Sequence, residues 1–192
     1  VKPGVNREAG MYIMNTKKGT YFFADSTVNL NPTAEELVEI IGLTDDAVRF
    51  FNMEPRIAVL SYSNFGSAKG DIPSKMAKAT AIAQKKYPDL VIEGEMQANV
   101  AINEDIQREM YPFSRLINKR ANTLIFPDLS SGNIAYKLLA ELGNSEAIGP
   151  ILLGMNKPVH ILQLGSSIRE IVIMVAVAVV DVQSTKNLCT FS

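Results

Sequence analysis

Three segments rich in Ser, Gly and Asn carry the residue types that bind anions in α/β proteins. They are Ser63–Gly70, Asp128–Asn133 and Gln163–Ser167, and each precedes a run with helical spacing. The N-terminus of a helix presents free N–H groups and the positive end of its dipole, which favour phosphate or carboxylate. The same residue types also cap helices and form turns, and each segment alone is more typical of a structural turn. Together they predict an anion-binding face.

Few side chains in this sequence suit acid–base or nucleophilic chemistry. Glu170 is the fourth residue of a Ser-x-x-Glu capping-box pattern that begins at Ser167, so its structural interpretation is a helix cap. The single histidine, His160, is flanked by Val and Ile, as expected of a packed side chain. The single cysteine, Cys189, lies near the C-terminus and is interpreted as an ordinary exposed thiol.

The sequence predicts no metal site. One His and one Cys cannot form a His/Cys zinc site. An acidic cluster offers the oxygen ligands that a divalent cation prefers, but solvated carboxylates, or acceptors for the N–H groups of a turn, explain it more simply. The members of this cluster are Asp89, Glu93 and Glu95.

The composition excludes several classes of partner. The 192 residues include 19 Lys and Arg against 20 Asp and Glu, with 47% hydrophobic residues, as in an ordinary globular domain. A near-neutral chain without a basic run lacks the surface that nucleic acid requires. The start of the chain has no apolar signal region, and the apolar run Ile171–Val180 is too short to span a bilayer. We therefore expect a cytoplasmic protein with neither nucleic acid nor membrane as partner.

The elements that must position these residues alternate between strands and helices. The first two strands, separated by Lys17-Lys18-Gly19, form a predicted hairpin at one edge of a sheet. Strands joined by helices of crossover length predict an α/β fold with three α/β/α layers and a mainly parallel sheet. The predicted strands are Met11–Asn15, Thr20–Asp25, Ile57–Ser61, Leu90–Ile92, Ala121–Phe126, Ile148–Leu153 and Val159–Leu162. The predicted helices follow Thr33 and span about Pro73–Lys86, Ile134–Leu142 and Gly165–Ser184.

Several motifs of this sequence, in their order along the chain, resemble those of one known family. These motifs are Phe22–Glu35, Leu60–Ser63, Glu93–Gln97 and Leu124–Lys137. Together they resemble the phosphate acetyl/butyryltransferase family, over about Met11 to Gln183. The resemblance implies the isocitrate/isopropylmalate dehydrogenase-like fold in an incomplete form, because the opening segment of the family's domain has no counterpart. The chain is thus expected to be a fragment of a longer protein.

The resemblance also implies a domain organisation. Residues 1–10 would be a linker or loop, residues 11–184 the later part of the phosphotransacetylase-like domain, and residues 185–192 a C-terminal tail. Residues 163–184 would form a helix that returns to the absent first subdomain. Because this helix is apolar on every face, it must be buried on more than one side, and we expect a homo-oligomer, dimeric or larger.

At the site, the resemblance implies a carboxylate base that deprotonates the thiol of coenzyme A, and a Ser-Arg pair that holds acetyl phosphate. Glu170 stands at the position of the base, where active members carry Asp, while Gln163-Leu164 replaces Ser-Arg. Phe65 stands where active members carry Lys. The loss of two cations predicts loss of acyl transfer, because Leu and Phe cannot pair with phosphate. Glu170 is therefore the one catalytic candidate, in a role that these changes have made vestigial.

The same departures resemble the C-terminal phosphotransacetylase-like domain of large bacterial NADP-dependent malic enzymes, which responds to acetyl-CoA. This resemblance implies acetyl-CoA or coenzyme A as ligand, an upstream malic-enzyme domain that holds NADP and a divalent metal, and no cofactor in this chain. The alternatives are an active phosphate acetyl/butyryltransferase and a purely structural oligomerisation module. The predicted effector-binding residues are Gln163, Gly165, Ser166, Ser167, Ser63, Asn64, Ser67, Ser130, Ser131 and Asn133.

Overall fold

The computed structural model describes residues 1–157, 159–162 and 164–188, with side chains in the last helix up to residue 183. The strands are β1 (Ala9–Thr16), β2 (Gly19–Ala24), β3 (Arg56–Leu60), β4 (Val91–Met96), β5 (Thr123–Ile125) and β6 (Glu146–Leu153). The helices are α1 (Ala34–Phe50), α2 (Asp71–Lys86), α3 (Ala98–Ile102), α4 (Glu104–Met110), α5 (Leu129–Gly143) and α6 (Ile168–Leu188).

These strands form one six-stranded sheet with the order β4-β3-β5-β2-β1-β6. The first four in this order are parallel to one another, whereas β1 is antiparallel to both β2 and β6. The predicted α/β class with a mainly parallel sheet is confirmed, and so is the hairpin. Its predicted place at an edge is wrong, because β6 pairs with β1 and becomes the edge strand itself.

Alternation along the strands divides the core between the two faces of the sheet. One face packs Met11, Phe22, Val59 and Ile125 against α1 and α2. The other face packs the alternate strand residues against α3, α4 and α5, where the ring of Tyr136 stacks on that of Tyr12 at 3.9 Å. These two clusters fill the two interfaces between the sheet and its covering helices, as the predicted three-layer arrangement requires.

The two predicted caps differ in outcome. The Thr33 side chain accepts from Glu36 N and the Glu36 carboxylate accepts from Thr33 N, which confirms the capping box at the start of α1. By contrast, α5 begins at Leu129 and not at Ile134, so the segment predicted as a turn forms its first turn. The physical reason is Asp128, whose carboxylate accepts from Ser131 N and caps the helix there.

The end of the chain departs furthest from the predicted pattern. The predicted strand Val159–Leu162 is wrong, because it makes only a single antiparallel bridge, between His160 and Ile151. Helix α6 begins at Ile168, contacts β6 and leaves most of its apolar side chains exposed, with Met174 buried. At the other end of the chain, β1 already begins at Ala9. No helix in the described part of the chain has the length and apolar character needed to cross a membrane.

Candidate functional site

The loop after β3 is held by hydrogen bonds to two of its own serines. Ser63 is buried, and its Oγ accepts from Ala68 N at 3.0 Å. Ser67 Oγ accepts from Asn64 N at 2.8 Å, while the Asn64 carbonyl accepts from Ser67 N. The Asn64 side chain in turn accepts from Gln97 N at 2.8 Å. Three predicted site residues therefore have structural hydrogen bonds that preorganise this loop at the carboxyl end of its strand.

Glu95 anchors the same loop from the end of the neighbouring strand β4. Its carboxylate is buried and accepts from Ser63 Oγ at 2.8 Å and from Gly66 N at 2.7 Å. Glu93, on the same strand, accepts from Arg115 N at 2.8 Å. These two carboxylates are thus acceptors for loop N–H and O–H groups, as the sequence predicted. No group of His, Cys, Asp and Glu able to hold a metal occurs within the described residues.

Phe65 lies at the tip of this loop in the left-handed region, with φ of 49°. Its ring packs against Tyr111 and Phe113, with centroid distances of 5.2 and 4.9 Å. The position at which the family resemblance implies a lysine is therefore occupied by an aromatic cluster, and Phe113 is two-thirds exposed. This surface offers rings for stacking and no positive charge from Phe65 itself.

A second loop region lies at the carboxyl ends of β2 and β5, close to the N-terminus of α5. Buried Asp25 accepts from Thr27 N, Val28 N and Asn29 N, which closes a tight turn after β2. Gly132 of α5 packs directly on this turn, because a Cβ there would lie 2.7 Å from the Asp25 carbonyl oxygen. The helix can approach the turn so closely only because residue 132 is a glycine.

Lys75 of α2 joins the two sides of this region. Its ammonium group donates to Asn31 Oδ1 at 2.8 Å and to the Pro127 carbonyl at 2.7 Å. Burial lowers the pKa of Lys75 below its usual value, while the Asp128 carboxylate acts in the opposite direction. Neither Asp25 nor Lys75 was predicted as a site residue, although the turn residues that follow Asp25 were visible in the sequence.

The predicted residues of the α5 segment occupy its first turn. Ser130 is exposed, Ser131 Oγ donates to the Asp128 carbonyl at 2.9 Å, and Asn133 is half-buried beside the Ser26 carbonyl. Ser131 thus contributes to the cap, and Ser130 is exposed to solvent. The loop after β3 and this helix N-terminus both lie at the carboxyl edge of the parallel strands, as predicted.

The third predicted anion-binding segment, Gln163–Ser167, does not lie at the carboxyl edge with the other two in its described part. After the bridge at His160 the chain runs antiparallel to β6, towards the amino end of that strand, and Arg169 pairs there with Glu146 at 2.6 Å. Gly165 and Ser166 therefore line a cavity of about 240 Å³ between α5, β6 and α6. The sequence placed all three segments at one edge because it treated Val159–Leu162 as another parallel strand. Gln163 lies outside the described residues.

Glu170 also lines this cavity, and its carboxylate is already engaged. Glu170 Oε2 accepts from Ser167 N at 2.5 Å, and Ser167 Oγ accepts from Glu170 N at 3.2 Å. The capping box predicted for this helix is confirmed. Among the described residues, the wall of this cavity has two further carboxylates, Glu141 and Glu146, and one ammonium group, that of Lys137.

The comparison with known families decides the identity of the fold. The sequence matches the phosphate acetyl/butaryl transferase family over residues 1–179. The chain belongs to this family. Its fold matches a phosphotransacetylase from Streptococcus pyogenes with a TM-score of 0.87 and 41% identity, covering 93% of this chain and 55% of that one. The phosphotransacetylase-like domain that the motifs predicted is therefore confirmed.

Curated relatives of this phosphotransacetylase-like chain fall into two groups. The NADP-dependent malic enzyme of Haemophilus influenzae is 42% identical over 183 residues, which are 95% of this chain and 24% of the relative. The phosphate acetyltransferase of Clostridium acetobutylicum is 41% identical over 188 residues, which are 94% of this chain and 56% of the relative. The chain thus spans about a quarter of the first relative and about half of the second.

Proposed function

We propose that this chain is a phosphotransacetylase-like regulatory domain of an NADP-dependent malic enzyme. In this proposal it senses acetyl-CoA and mediates oligomerisation. The oxidative decarboxylation of malate to pyruvate, with NADP and a divalent metal, belongs to a separate malic-enzyme domain. The similarity to the Haemophilus influenzae malic enzyme supports this assignment.

The observation that carries the proposal is the bonding of Glu170. A general base must be free to accept the thiol proton of coenzyme A. Glu170 Oε2 instead accepts from the Ser167 N–H at 2.5 Å, and this bond holds the carboxylate against its own helix in a capping role. A residue at the position of the base that caps its own helix is suited to a domain that binds the ligand without turning it over.

The charge around Glu170 supports the same conclusion. Acetyl phosphate carries negative charge, and its transfer requires cations or N–H groups at the phosphate and at the developing oxyanion. The cavity wall offers Glu141, Glu146 and Glu170 against Lys137, while the Arg169 guanidinium is paired with Glu146. Leu164, where the resemblance implies Arg, is fully exposed and apolar. Phosphate would meet repulsion in this cavity.

Acetyl-CoA is the ligand proposed for the carboxyl-edge loops. Glu95 holds the loop Ser63–Ser67 in one conformation, so ligand binding needs little ordering of the backbone. The helix N-terminus that begins at Leu129 adds a positive dipole end at the same edge. The Asp128 carboxylate caps this N-terminus and offsets part of its positive end, so the preorganised loop is the main support for a nucleotide-bearing thioester as ligand.

A direct experiment follows in the full-length protein. Acetyl-CoA is added while malate-dependent NADPH formation is recorded, and acetyl-phosphate consumption with coenzyme A is measured in parallel. Inhibition of the first reaction, without turnover in the second, is expected. Glu95→Gln should weaken the inhibition because it releases the loop, whereas Asp89→Asn, which removes an exposed carboxylate nearby in sequence, should leave it unchanged. An acetyl-CoA response that is absent in the unaltered protein contradicts the sensing role.

The alternative is an active phosphate acetyltransferase, favoured by the retained carboxylate at position 170 and by the Clostridium acetobutylicum relative. This alternative requires consumption of acetyl phosphate that depends on a thiol and that Glu170→Gln abolishes. If both results are obtained, the domain is catalytic and the regulatory proposal fails. If the unaltered protein shows no turnover, the alternative fails.

Oligomerisation is proposed from the exposed side of α6. The side chains of Val172 and Val175 are 61% and 55% exposed. Their helix carries few charges, so this exposed surface is mainly apolar. Burying such a surface between subunits would be favourable at about 25 cal/mol per Å² of apolar area. Val172→Glu with Val175→Glu should shift the sedimentation coefficient to that of a smaller species. Leu142→Glu, on the exposed side of α5, is the control expected to leave it unchanged.

A further inference from the structure

A mainly apolar cavity of about 310 Å³ opens on the opposite edge of the sheet from the carboxyl-edge loops. It lies between the β1–β2 hairpin, the end of α3 and the end of α5, on the face of the sheet that those helices cover. Its walls are Tyr21, Phe23, Ile102, Leu124 and Leu139. A volume of this order is at the lower end of small-molecule sites, which range over about 300–1,000 Å³.

One residue of this wall has a buried polar group without a partner. Tyr21 is 6% exposed, and its hydroxyl is buried without a hydrogen bond to any of the residues that the structure describes. Buried tyrosine hydroxyls nearly always have a partner, because an unpaired one loses its bonds to water without replacement. The Arg120 guanidinium lies over the ring, 5.9 Å from its centroid, and does not satisfy the hydroxyl.

The remaining lining residues give the cavity one sign of charge. Lys17 and Lys18 of the hairpin turn line it together with Thr16 and Ser145, and within the described part of the chain no Asp or Glu does so. Arg120 adds a third cation nearby, since its guanidinium donates to the Lys18 carbonyl at 2.7 Å. An apolar body with a cationic rim complements a molecule with an apolar chain and an anionic end.

We propose that this cavity binds an amphipathic carboxylate, such as a medium-chain fatty acid. The apolar chain would lie against Phe23, Leu124 and Leu139, and the carboxylate would pair with Lys17 and Lys18. The Tyr21 hydroxyl would donate a hydrogen bond to an oxygen of the ligand, or to a water that the ligand orders. The site is separate from the carboxyl-edge loops, so the proposal is independent of acetyl-CoA binding.

The test uses octanoate as the probe and titration calorimetry on the full-length protein. Leu139→Trp fills the cavity and should abolish binding, whereas Leu138→Trp, on the exposed side of the same helix, should leave the affinity unchanged. Far-ultraviolet circular dichroism verifies that both variants fold. Equal affinity in the two variants would overturn the assignment of the site.

Two further variants test the chemistry of the ligand. Replacing both lysines by Gln should weaken octanoate binding by about 5-fold, as expected of two exposed ion pairs, and should not affect the neutral analogue octanol. Tyr21→Phe should weaken octanoate binding by about 3- to 10-fold through one lost hydrogen bond. If the unaltered protein binds neither probe, the cavity holds water only and the proposal is wrong.

Discussion

Ser167 and Glu170 bond to each other across the first turn of α6, with Ser167 N donating to Glu170 Oε2 and Glu170 N donating to Ser167 Oγ. The pairing satisfies two N–H groups that a helix start otherwise leaves without partners. It also holds the carboxylate of the one catalytic candidate from the sequence in a capping position. In this chain the fold therefore uses Glu170 to begin its own helix.

Loss of the α1 cap should destabilise the protein measurably. Thr33→Ala removes the acceptor for Glu36 N and should lower the free energy of unfolding by about 1 kcal/mol. Thr33→Ser keeps the hydroxyl and should stay close to the unaltered protein. Urea unfolding followed by circular dichroism checks both, and an equal loss in the two variants would contradict the capping role.

Gly132→Ala should be more costly than an ordinary substitution in a helix. The new Cβ would lie 2.7 Å from the Asp25 carbonyl oxygen and 3.1 Å from Ser26 Cα, so α5 must move away from the turn. Overpacking of this kind costs about 1–3 kcal/mol in the free energy of unfolding. Ser130→Ala, exposed in the same turn of α5, is the matched control and should change it by less than about 0.5 kcal/mol.

Glu95→Gln should release the loop after β3. The amide keeps the size of the side chain but loses the charge that favours its bonds from Ser63 Oγ and Gly66 N. Hydrogen bonds to a buried charge contribute about 1.5–3 kcal/mol, so we expect a loss of that order in the free energy of unfolding. Faster hydrogen exchange at Gly66 N would locate the effect in the loop. Unchanged exchange there would show that Glu95 does not anchor it.

Acid should weaken the packing around His160. Burial lowers the pKa of this imidazole below its ordinary 6.5, and the Asp181 carboxylate, 3.5 Å from Nε2, acts in the opposite direction. The unfolded chain therefore binds a proton at higher pH than the folded chain. Stability that depends on neutral His160 is present above about pH 6.5 and is lost as the pH falls through the lower pKa of the folded state.

The measurement is the free energy of unfolding of the unaltered protein minus that of His160→Asn, taken between about pH 7.5 and pH 5. Other titrating groups are common to both proteins, so their effects cancel in this difference. The difference should decrease on acidification. An increase would mean that Asp181 outweighs burial and raises the pKa of His160 instead.

Local patterns in the sequence determined much of the architecture and two of the site's details. The hairpin and the capping boxes at Thr33 and Ser167 follow from short-range hydrogen bonding and alternation, which neighbouring residues specify. The acceptor roles of Glu93 and Glu95 were predicted from residue type, but their partners, Arg115 and the loop at Ser63, are distant in sequence. The helix of the Asp128 segment was placed too late, because its Ser and Gly residues are as typical of turns as of a first helical turn.

Only the tertiary structure decided which strands, helices and loops contact one another. The pairing of β6 with β1 is a long-range contact, and it turns the following segment back along β6, so that Gly165–Ser167 lies away from the loop at Ser63. The cavity below Tyr21 likewise requires residues from the hairpin, α3, β5 and α5 to converge. No periodicity or motif specifies such long-range contacts, since strand order depends on which edge of the sheet remains unpaired when the sheet assembles.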